Sequence, residues 1–291
     1  MTTRRQMLAM SASAVVGSAV SVSAQGNEVS SESRGKITQV RNATLRIDYG
    51  GVRFLVDPML ADRHALPGFP GTVNSEQRNP MVHLPMPIAD IVDVDAVIVT
   101  HLHEDHWDQA ARDALPRDLP VFARNGTDAQ VIRGQGFTDV RVLSESSEFG
   151  GVRLIKTAGR HGTEAHYELM AEILGEVCGL VFSHPDEKTI YLAGDTIWND
   201  DVAAVLSAHA PEVAILNSGY AMVQGVDGGI IMGTEDVLRV HRAAPETVLI
   251  ASHMEAINHC VLTRAELWAF AADEGLSDKL RTPGDGETSM L

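Results

Sequence analysis

The sequence predicts an α/β fold with its sheet inside. From residue 96 onward, short apolar runs of strand length alternate with segments that have helical patterns. A β-hairpin pattern precedes these runs, and capping residues mark the starts of helices near the carboxyl terminus. Strands and helices mixed in this way pack as layers around a sheet.

The hairpin pattern lies at the start of the predicted domain. The segment ITQVRNATLRIDYGGVRFLVDP, residues 37–58, has β-type runs on both sides of Gly50 and Gly51. Glycine adopts positive φ without steric cost, so this pair suits a tight turn between two strands. Asp57 and Pro58 end the second strand.

A long irregular segment follows, from Met59 to about Val92. It carries five prolines, at positions 67, 70, 80, 85 and 87. Proline restricts φ and lacks a backbone donor, so regular structure is not expected here. Long loops inside compact domains are usually functional or disordered. We expect this loop to select the substrate.

Six apolar runs predict the later strands. They are AVIVT (96–100), VRLIKTA (152–158), GLVFS (179–183), TIYLAG (189–194), VAILN (213–217) and TVLIAS (247–252). Two helix starts are also visible. Thr263 and Glu266 form a capping box with Gly275 as the stop, and Thr234 opens another helix with two acids in its first turn.

Charge and cysteine content limit the classes of partner. The formal net charge of −16, with no basic patch, excludes nucleic acid as an expected partner. The two cysteines, Cys178 and Cys260, are too few for a disulfide scaffold. Whether they pair is left open by the sequence, as is the oligomeric state. We expect a small-molecule substrate.

Residues 1–24 have the composition of an export signal. Arg4 and Arg5 are followed by an uncharged stretch that lasts until Glu28, and small residues at 22–24 offer a cleavage site. The segment resembles a twin-arginine signal, which predicts a partner in the twin-arginine export machinery and a periplasmic or extracellular protein. A membrane anchor is the alternative, but five serines weaken the segment as a spanning helix.

The remaining chain then divides into two parts. Residues 25–35 are polar and predict a flexible linker, and residues 36–291 predict one folded domain without stable membrane insertion.

The segment THLHEDHWD concentrates candidate metal ligands directly after the strand AVIVT. His101 and His103 are alternate residues of an extended chain and therefore project to the same side. Asp105 and His106 come as the chain turns towards a helix, so they can face the first pair. Imidazole and carboxylate are ligands that zinc and similar ions accept.

Three other apolar runs end in residues of the same kind. His161, Asp195 and His253 each follow a predicted strand, so we expect them at the same edge as THLHEDHWD. His166 competes with His161 for a ligand role, and His259 competes with His253. The earlier residue of each pair is favoured because it follows its strand more closely.

The order of these motifs resembles the metallo-β-lactamase superfamily. The pattern H-x-H-x-D-H, a single His, G-D-T and a final His spans residues 36–285. The resemblance implies a four-layer αββα sandwich with two metal ions at one edge. Within the superfamily, N-A-T (42–44) and D-P (57–58) resemble the branch of L-ascorbate-6-phosphate lactonase and N-acylphosphatidylethanolamine phospholipase D.

The resemblance also implies ligand roles. His101, His103 and His161 would bind one metal ion, with Asp105, His106 and His253 binding the second and Asp195 bridging both. The ions would be zinc, manganese or iron, and a hydroxide between them would attack a small ester, lactone or phosphoester.

Two further residues are candidates for catalysis. Tyr220 follows another strand and could donate to a developing oxyanion. His259, together with Glu255 and Asn258, either orients a ligand imidazole, reaches the substrate or packs as ordinary polar structure. Two rival functions also fit the ligands: an iron-dependent oxidoreductase using persulfide or oxygen chemistry, and a catalytically silent metal-binding protein.

Overall fold

The computed structural model describes residues 35–291, which contain two seven-stranded sheets. The first sheet has the strand order β14-β1-β2-β3-β4-β5-β6. Its strands are β1 (Lys36–Arg41), β2 (Thr44–Tyr49), β3 (Val52–Val56), β4 (Ala96–Val99), β5 (Val121–Ala123), β6 (Val140–Val142) and β14 (Thr288–Met290). The second sheet has the order β13-β12-β11-β10-β9-β8-β7. Its strands are β7 (Ser147–Phe149), β8 (Val152–Ala158), β9 (Cys178–Ser183), β10 (Ile190–Leu192), β11 (Val213–Asn217), β12 (Val248–Ser252) and β13 (Leu280–Arg281).

Seven helices accompany these sheets in the described part of the chain. They are α1 (Ile88–Ile91), α2 (Gln109–Ala114), α3 (Gly126–Gly134), α4 (Glu164–Leu174), α5 (Asp200–His209), α6 (Thr234–Ala243) and α7 (Arg264–Asp273). None of the helices in residues 35–291 is long and apolar enough to cross a membrane.

Of the four apolar clusters in the described chain, three form the layers of the sandwich, and the fourth, which includes Met59 and Ile231, lies beside the loop after Met59. Between the sheets, residues such as Phe54 and Phe182 pack edge to face with their ring centroids 5.6 Å apart. On the outer face of the first sheet, α2 and α3 cover Val97 and Val121. On the outer face of the second sheet, α5, α6 and α7 cover Ala214 and other strand residues. The predicted αββα sandwich is therefore confirmed.

The sandwich brings several strand ends to one edge. β3, β4, β5 and β6 are parallel to one another in the first sheet, and β10, β11, β12 and β13 are parallel in the second. β8 runs in the same direction as β10, because both pair antiparallel with β9. The chain therefore leaves β4, β8, β10 and β12 at a shared edge, where the predicted ligands follow.

The amino-terminal strands differ from the prediction in one respect. The predicted hairpin at Gly50 and Gly51 is present, with both glycines at positive φ, between β2 and β3. The preceding run, however, is two strands rather than one, because Asn42 takes a φ of 55° and turns the chain between β1 and β2. Asparagine tolerates this left-handed conformation better than most residues, so Asn42 was the residue that could have indicated a turn between two strands.

The segment from Met59 to Val92 is irregular as predicted, apart from the short helix α1 at its end. Asn258 fastens part of this segment to the edge of the sandwich. Its side chain accepts from the backbone N–H of Phe69 and donates to the Thr72 hydroxyl and the Val73 carbonyl. It also accepts from the side chain of Asn79 at 2.8 Å. The loop is therefore held by buried hydrogen bonds.

Candidate metal centre

Seven predicted ligands lie together at the shared edge. Their donor atoms form three groups within 4.8 Å of one another: His101, His103 and His161; His101, His106 and Asp195; and Asp105, His106 and His253. Six of the seven residues are buried, and His103 is partly exposed.

In these imidazoles, one ring nitrogen faces the cluster. The other nitrogen is hydrogen-bonded to a partner that fixes the orientation of the ring. Nδ1 of His106 lies 2.9 Å from Oδ2 of Asp57, and Nδ1 of His161 lies 2.9 Å from the Ile230 carbonyl. These oxygens only accept, so both Nδ1 atoms carry a proton, and Nε2 is the nitrogen that each ring can offer to a metal ion. Such bonds are typical of metal-binding histidines.

His103 is oriented in the opposite sense. Its Nε2 donates to the carbonyl of Ile173 in the last turn of α4 at 2.8 Å, and its Nδ1 lies 3.0 Å from Nε2 of His101. The carbonyls of a last helical turn have no partner within the helix, so Ile173 is free to accept. The last turn of α4 is thereby joined to the cluster.

His253 and Asp105 are fixed by neighbours of their own. His253 has a left-handed φ of 58°, and its Nδ1 lies 3.4 Å from Sγ of Cys260. The backbone carbonyl of Asp105 accepts from the side chain of Asn42 at 3.0 Å. Strained backbone of this kind is often found at functional sites.

Asp195 occupies the middle of the cluster. Its Oδ2 lies 3.2 Å from Nε2 of His106, 3.7 Å from Nε2 of His161 and 3.8 Å from Nε2 of His101. Its other oxygen, Oδ1, is 3.7 Å from Nε2 of His253. The two oxygens together face imidazoles of both predicted ligand sets, as a bridging carboxylate must.

Burial and mutual charge set the ionisation of the cluster. Burial opposes ionisation of Asp105 and Asp195, but the neighbouring imidazoles, foremost His106, lower the pKa of both carboxyl groups well below the ordinary range. Burial also opposes a charge on His106, yet the surrounding carboxylates, led by Asp195, raise its pKa to about 10. Burial lowers the pKa of His161 to about 4. Ionised carboxylates beside imidazoles make a site that attracts positive charge.

This donor set fits divalent metal ions. Nε2 of His106 and Nε2 of His253 face each other at 3.1 Å, and Nε2 of His253 lies 3.2 Å from Oδ2 of Asp105. A metal ion bound at this point would take both facing nitrogens and the carboxylate oxygen as ligands. Nitrogen and carboxylate oxygen donors suit zinc, manganese and iron. The metal-ligand roles themselves stay a prediction.

A cavity of about 290 Å³ opens beside the cluster. His103, His161, His253, Asp105 and Asp195 form its floor. Apolar side chains form most of its walls, and these are Phe69, Pro70, Met170, Ile173, Leu174, Ala221, Val223 and Ile230. Within residues 35–291, no lysine or arginine lines it. A volume at the small end of the range for ligand sites indicates a small ligand.

The structure separates the competing histidines. His161 lies in the cluster, whereas Nδ1 of His166 accepts from the Thr163 backbone N–H at 3.1 Å at the start of α4. His253 lies in the cluster too, whereas His259 lines the cavity without joining any of the three groups.

Tyr220 does not line this cavity. It lines a separate cavity with Trp198, and an added Cβ at Gly233 would lie 2.4 Å from its ring. The oxyanion role predicted for Tyr220 therefore has no geometric support. A residue after a strand can point to either side of the sheet edge, and the sequence does not say which.

Three other residues considered in the sequence analysis lie outside the ligand groups of the described chain. Glu255 forms an ion pair with Arg264, and the described structure gives it no place in the cavity wall. Cys178 and Cys260 are both buried and are not joined to each other.

Sequence reasoning missed several residues that support the site. Asp57 binds His106 and also accepts from the backbone and hydroxyl of Thr100. Asn217 donates to Oδ1 of Asp195 at 2.7 Å. Asp57 directly follows β3 and Asn217 is the last residue of β11, so a position at a strand end was the feature of the sequence that could have indicated both. The cavity wall contributed by α4 has no comparable signal in the sequence.

Comparison with known proteins agrees with this geometry. Residues 52–254 match the model of the "Beta-lactamase superfamily domain". The UPF0173 protein YddR of Bacillus subtilis is 45% identical over 254 residues, covering 87% of this chain and 98% of its own. A UPF0173 metal-dependent hydrolase of Rubrobacter xylanophilus is 27% identical over 214 residues, covering 71% of this chain and 81% of its own.

Two solved structures are also similar. The isothiocyanate hydrolase from Delia radicum gut bacteria is 49% identical, with a TM-score of 0.85, over 88% of this chain and 99% of that one. A possible metal-dependent hydrolase from Veillonella parvula is 42% identical, with a TM-score of 0.87, over 89% of this chain and 100% of that one.

The prediction of a metal-dependent hydrolase is confirmed by these similarities, whereas the finer branch predicted within the superfamily stays a prediction. The chain belongs to the metallo-β-lactamase superfamily, and within it to the UPF0173 family.

Proposed function

We propose that this protein hydrolyses small, uncharged isothiocyanates. The observation that carries the proposal is the apolar cavity of about 290 Å³ next to the His and Asp cluster. A relative with 49% identity is an isothiocyanate hydrolase. An alkyl or aryl isothiocyanate carries a small apolar group on the nitrogen of its N=C=S group, whose central carbon is the electrophile. The apolar walls suit the hydrocarbon part, and the His and Asp cluster suits the N=C=S group.

Apart from the proposed metal ions, the cavity offers an anionic substrate no cationic group. Its lining, as far as the chain is described, contains the acidic residues Glu104, Asp105 and Asp195 and neither lysine nor arginine. A phosphoester or sugar phosphate is normally bound by charge-assisted hydrogen bonds from such cations. We therefore favour a neutral substrate over the phosphoester of the original expectation, and keep neutral esters and lactones as comparison substrates.

Two divalent metal ions are part of this proposal. His101, His103 and His161 would hold one, Asp105, His106 and His253 the other, and Asp195 would contact both. Zinc is the first choice, with manganese or iron as alternatives. When bound, such ions supply a nucleophile at neutral pH by lowering the pKa of water, and they stabilise developing negative charge.

The protein's own side chains and backbone carbonyls prepare this chemistry in two ways. Asp57, Ile230 and Ile173 hold the imidazoles of His106, His161 and His103 at fixed orientations, which reduces reorganisation during the reaction. Apolar walls from the loop after Met59 and from α4 exclude bulk water and position the hydrocarbon part of the substrate. Hydrolysis releases a primary amine and carbonyl sulfide.

A panel of neutral and anionic substrates tests the function. The purified, zinc-loaded protein would be given allyl and phenethyl isothiocyanate, a 4-nitrophenyl ester, a simple lactone and a phosphodiester, with amine, acid or phenol release recorded. We expect kcat/KM to be highest for an isothiocyanate. Equal or faster turnover of the phosphodiester would overturn the proposal.

The rival oxidoreductase reaction can be separated in the same assay. Imidazole and carboxylate donors suit iron as well as zinc, so ligand type alone does not decide. A hydrolase loses no activity when oxygen is removed, whereas an oxygen-dependent enzyme stops. Turnover under argon with the zinc-loaded protein supports hydrolysis.

Export remains part of the proposal. The twin-arginine pattern lies in residues 1–24, outside the described residues, and its sequence supports a periplasmic or extracellular location. Replacing Arg4 and Arg5 together with lysine should retain the protein in the cytoplasm. Cell fractionation measures this, and unchanged export of the double variant would contradict a twin-arginine route.

A further inference from the structure

His259 is a buried polar side chain in the cavity wall, and it has no hydrogen-bond partner among the described residues. Its residue is 7% exposed, and its ring makes no hydrogen bond to any residue of the described chain. Nδ1 in particular is buried and unpartnered. Nε2, the other ring nitrogen, is not among these buried atoms and has no bond within the described chain either, so it is the nitrogen that a molecule in the cavity can reach and satisfy.

The position of the His259 ring does not depend on such a bond. Its backbone carbonyl accepts from the N–H of Met222 at 3.0 Å. The preceding residue, Asn258, is the one that fastens the long loop. The ring itself packs edge to face against Phe69, with the centroids 5.4 Å apart and the planes at 86°. The imidazole is therefore held in place with its polar atoms unused.

The other cavity histidines differ from His259 in this respect. His161 and His253 each have Nδ1 next to an acceptor or a thiol, which directs Nε2 to the metal centre. His259 has no such orienting partner and belongs to none of the three ligand groups. A metal-ligand role is thus not indicated, and the molecule that enters the cavity is the remaining partner.

We propose that the imidazole N–H of His259 donates a hydrogen bond to the nitrogen of the bound isothiocyanate. This inference rests on the proposed function. During hydrolysis the oxygen of water bonds to the central carbon, and the π pair of the C=N bond moves to nitrogen. That nitrogen then takes up the proton that the water loses. A donor placed there stabilises the negative charge as it develops.

The thiocarbamic acid formed in this way breaks down without another reactant. Its C–N bond breaks, the hydroxyl proton passes to nitrogen, and the amine and carbonyl sulfide leave. A donor to nitrogen favours this step too, because nitrogen is the leaving atom. His259 is therefore a catalytic residue by contact with the reacting nitrogen.

Two substitutions of His259 separate hydrogen bonding from packing. His259→Phe keeps a ring against Phe69 but has no N–H, and His259→Gln restores an N–H donor. We expect kcat for allyl isothiocyanate to fall about 100-fold in the first variant. The second should recover about tenfold of that loss, with KM and zinc content unchanged in both. A His259→Phe variant with kcat within threefold of the wild type would overturn the inference.

A measurement on the unaltered protein covers the case in which His259→Phe does not fold. Phenethyl azide is uncharged, carries a linear three-atom group with an acceptor nitrogen on its hydrocarbon part, and is not hydrolysed. In zinc-loaded protein with ¹⁵N-labelled histidine, we expect the ring signals of His259, assigned with His259→Gln, to shift when phenethyl azide is added. Shifts confined to the ligand histidines would overturn the contact with His259. Absence of isothiocyanate turnover in the wild type would instead overturn the proposed function.

Discussion

The floor and the walls of the cavity are built from different parts of the chain. The floor consists of residues that directly follow strands, such as His101 after β4 and Asp195 after β10. The walls come from the loop after Met59 and from α4, with Phe69 and Met170 as the large side chains. Strand ends place atoms rigidly, whereas loops and helix ends can change without disturbing the sheets.

This difference suggests that the floor binds the metal ions and that the walls bind the substrate. The floor has every imidazole anchored by a second hydrogen bond, as His106 is by Asp57. The walls contribute apolar surface, and α4 has a non-helical residue, Met170, within it. Changes in the floor should therefore alter metal binding and kcat, and changes in the walls should alter KM and substrate size.

The largest effect is expected from Asp195→Ala. Asp195 faces imidazoles of both ligand sets, so its loss should lower metal content and reduce turnover by about 1,000-fold or more. Elemental mass spectrometry and amine release measure the two quantities. Asp186→Ala, at an exposed position, is the matched control. Retention of both metal and turnover in Asp195→Ala would remove Asp195 from the centre.

Asp57→Asn should have the next largest effect. The carboxylate of Asp57 holds the proton on Nδ1 of His106, and loss of such a partner typically weakens metal binding about 10- to 100-fold. Competition with a chromophoric chelator gives the affinity. Asp128→Asn removes another buried carboxylate, which is paired with Arg124 and lies outside the three ligand groups, and should leave metal affinity unchanged. Equal affinity losses in both variants would indicate a general folding defect.

Met170→Ala tests the wall. Met170 lines the cavity, while its neighbour Leu169 is 70% exposed and does not. We expect KM for phenethyl isothiocyanate to change roughly tenfold in Met170→Ala, because an apolar contact to the hydrocarbon part is lost. Metal content should stay the same. Leu169→Ala should leave KM unaltered, and a matching change there would place the binding surface outside the cavity.

Asn258→Ala should give the smallest effect on catalysis. The substitution leaves buried loop groups, including the N–H of Phe69, without their partner and should lower the free energy of unfolding by about 1–3 kcal/mol. KM should rise severalfold because the loop loosens. Asn199→Ala removes the cap of α5 instead, which should lower stability without changing KM. Urea unfolding and initial rates distinguish the two.

The same division explains what the sequence could predict. His101, His103, His161, Asp195 and His253 were predictable because each follows an apolar run, and strands that leave a sheet in one direction end at one edge. Strand β1 and strand β2 were not separated, since the turn at Asn42 lacks glycine or proline.

The walls were harder to predict for a physical reason. Which side chains of a long loop reach a cavity depends on tertiary hydrogen bonds, here those of Asn258, and these join residues 179 to 189 positions apart. The orientation of Tyr220 away from the cavity likewise depends on its left-handed backbone, with a φ of 48°. Local sequence patterns predict neither the long-range hydrogen bonds of Asn258 nor the orientation of Tyr220.

The most direct test of the account measures metal content and isothiocyanate hydrolysis on the same preparation. The protein would be stripped with a chelator, reloaded with zinc in steps and assayed with allyl isothiocyanate at each step. We predict full activity at about two ions per chain, as a dinuclear centre requires, and loss of amine release in the stripped protein. Undiminished hydrolysis by protein without bound metal would contradict the account.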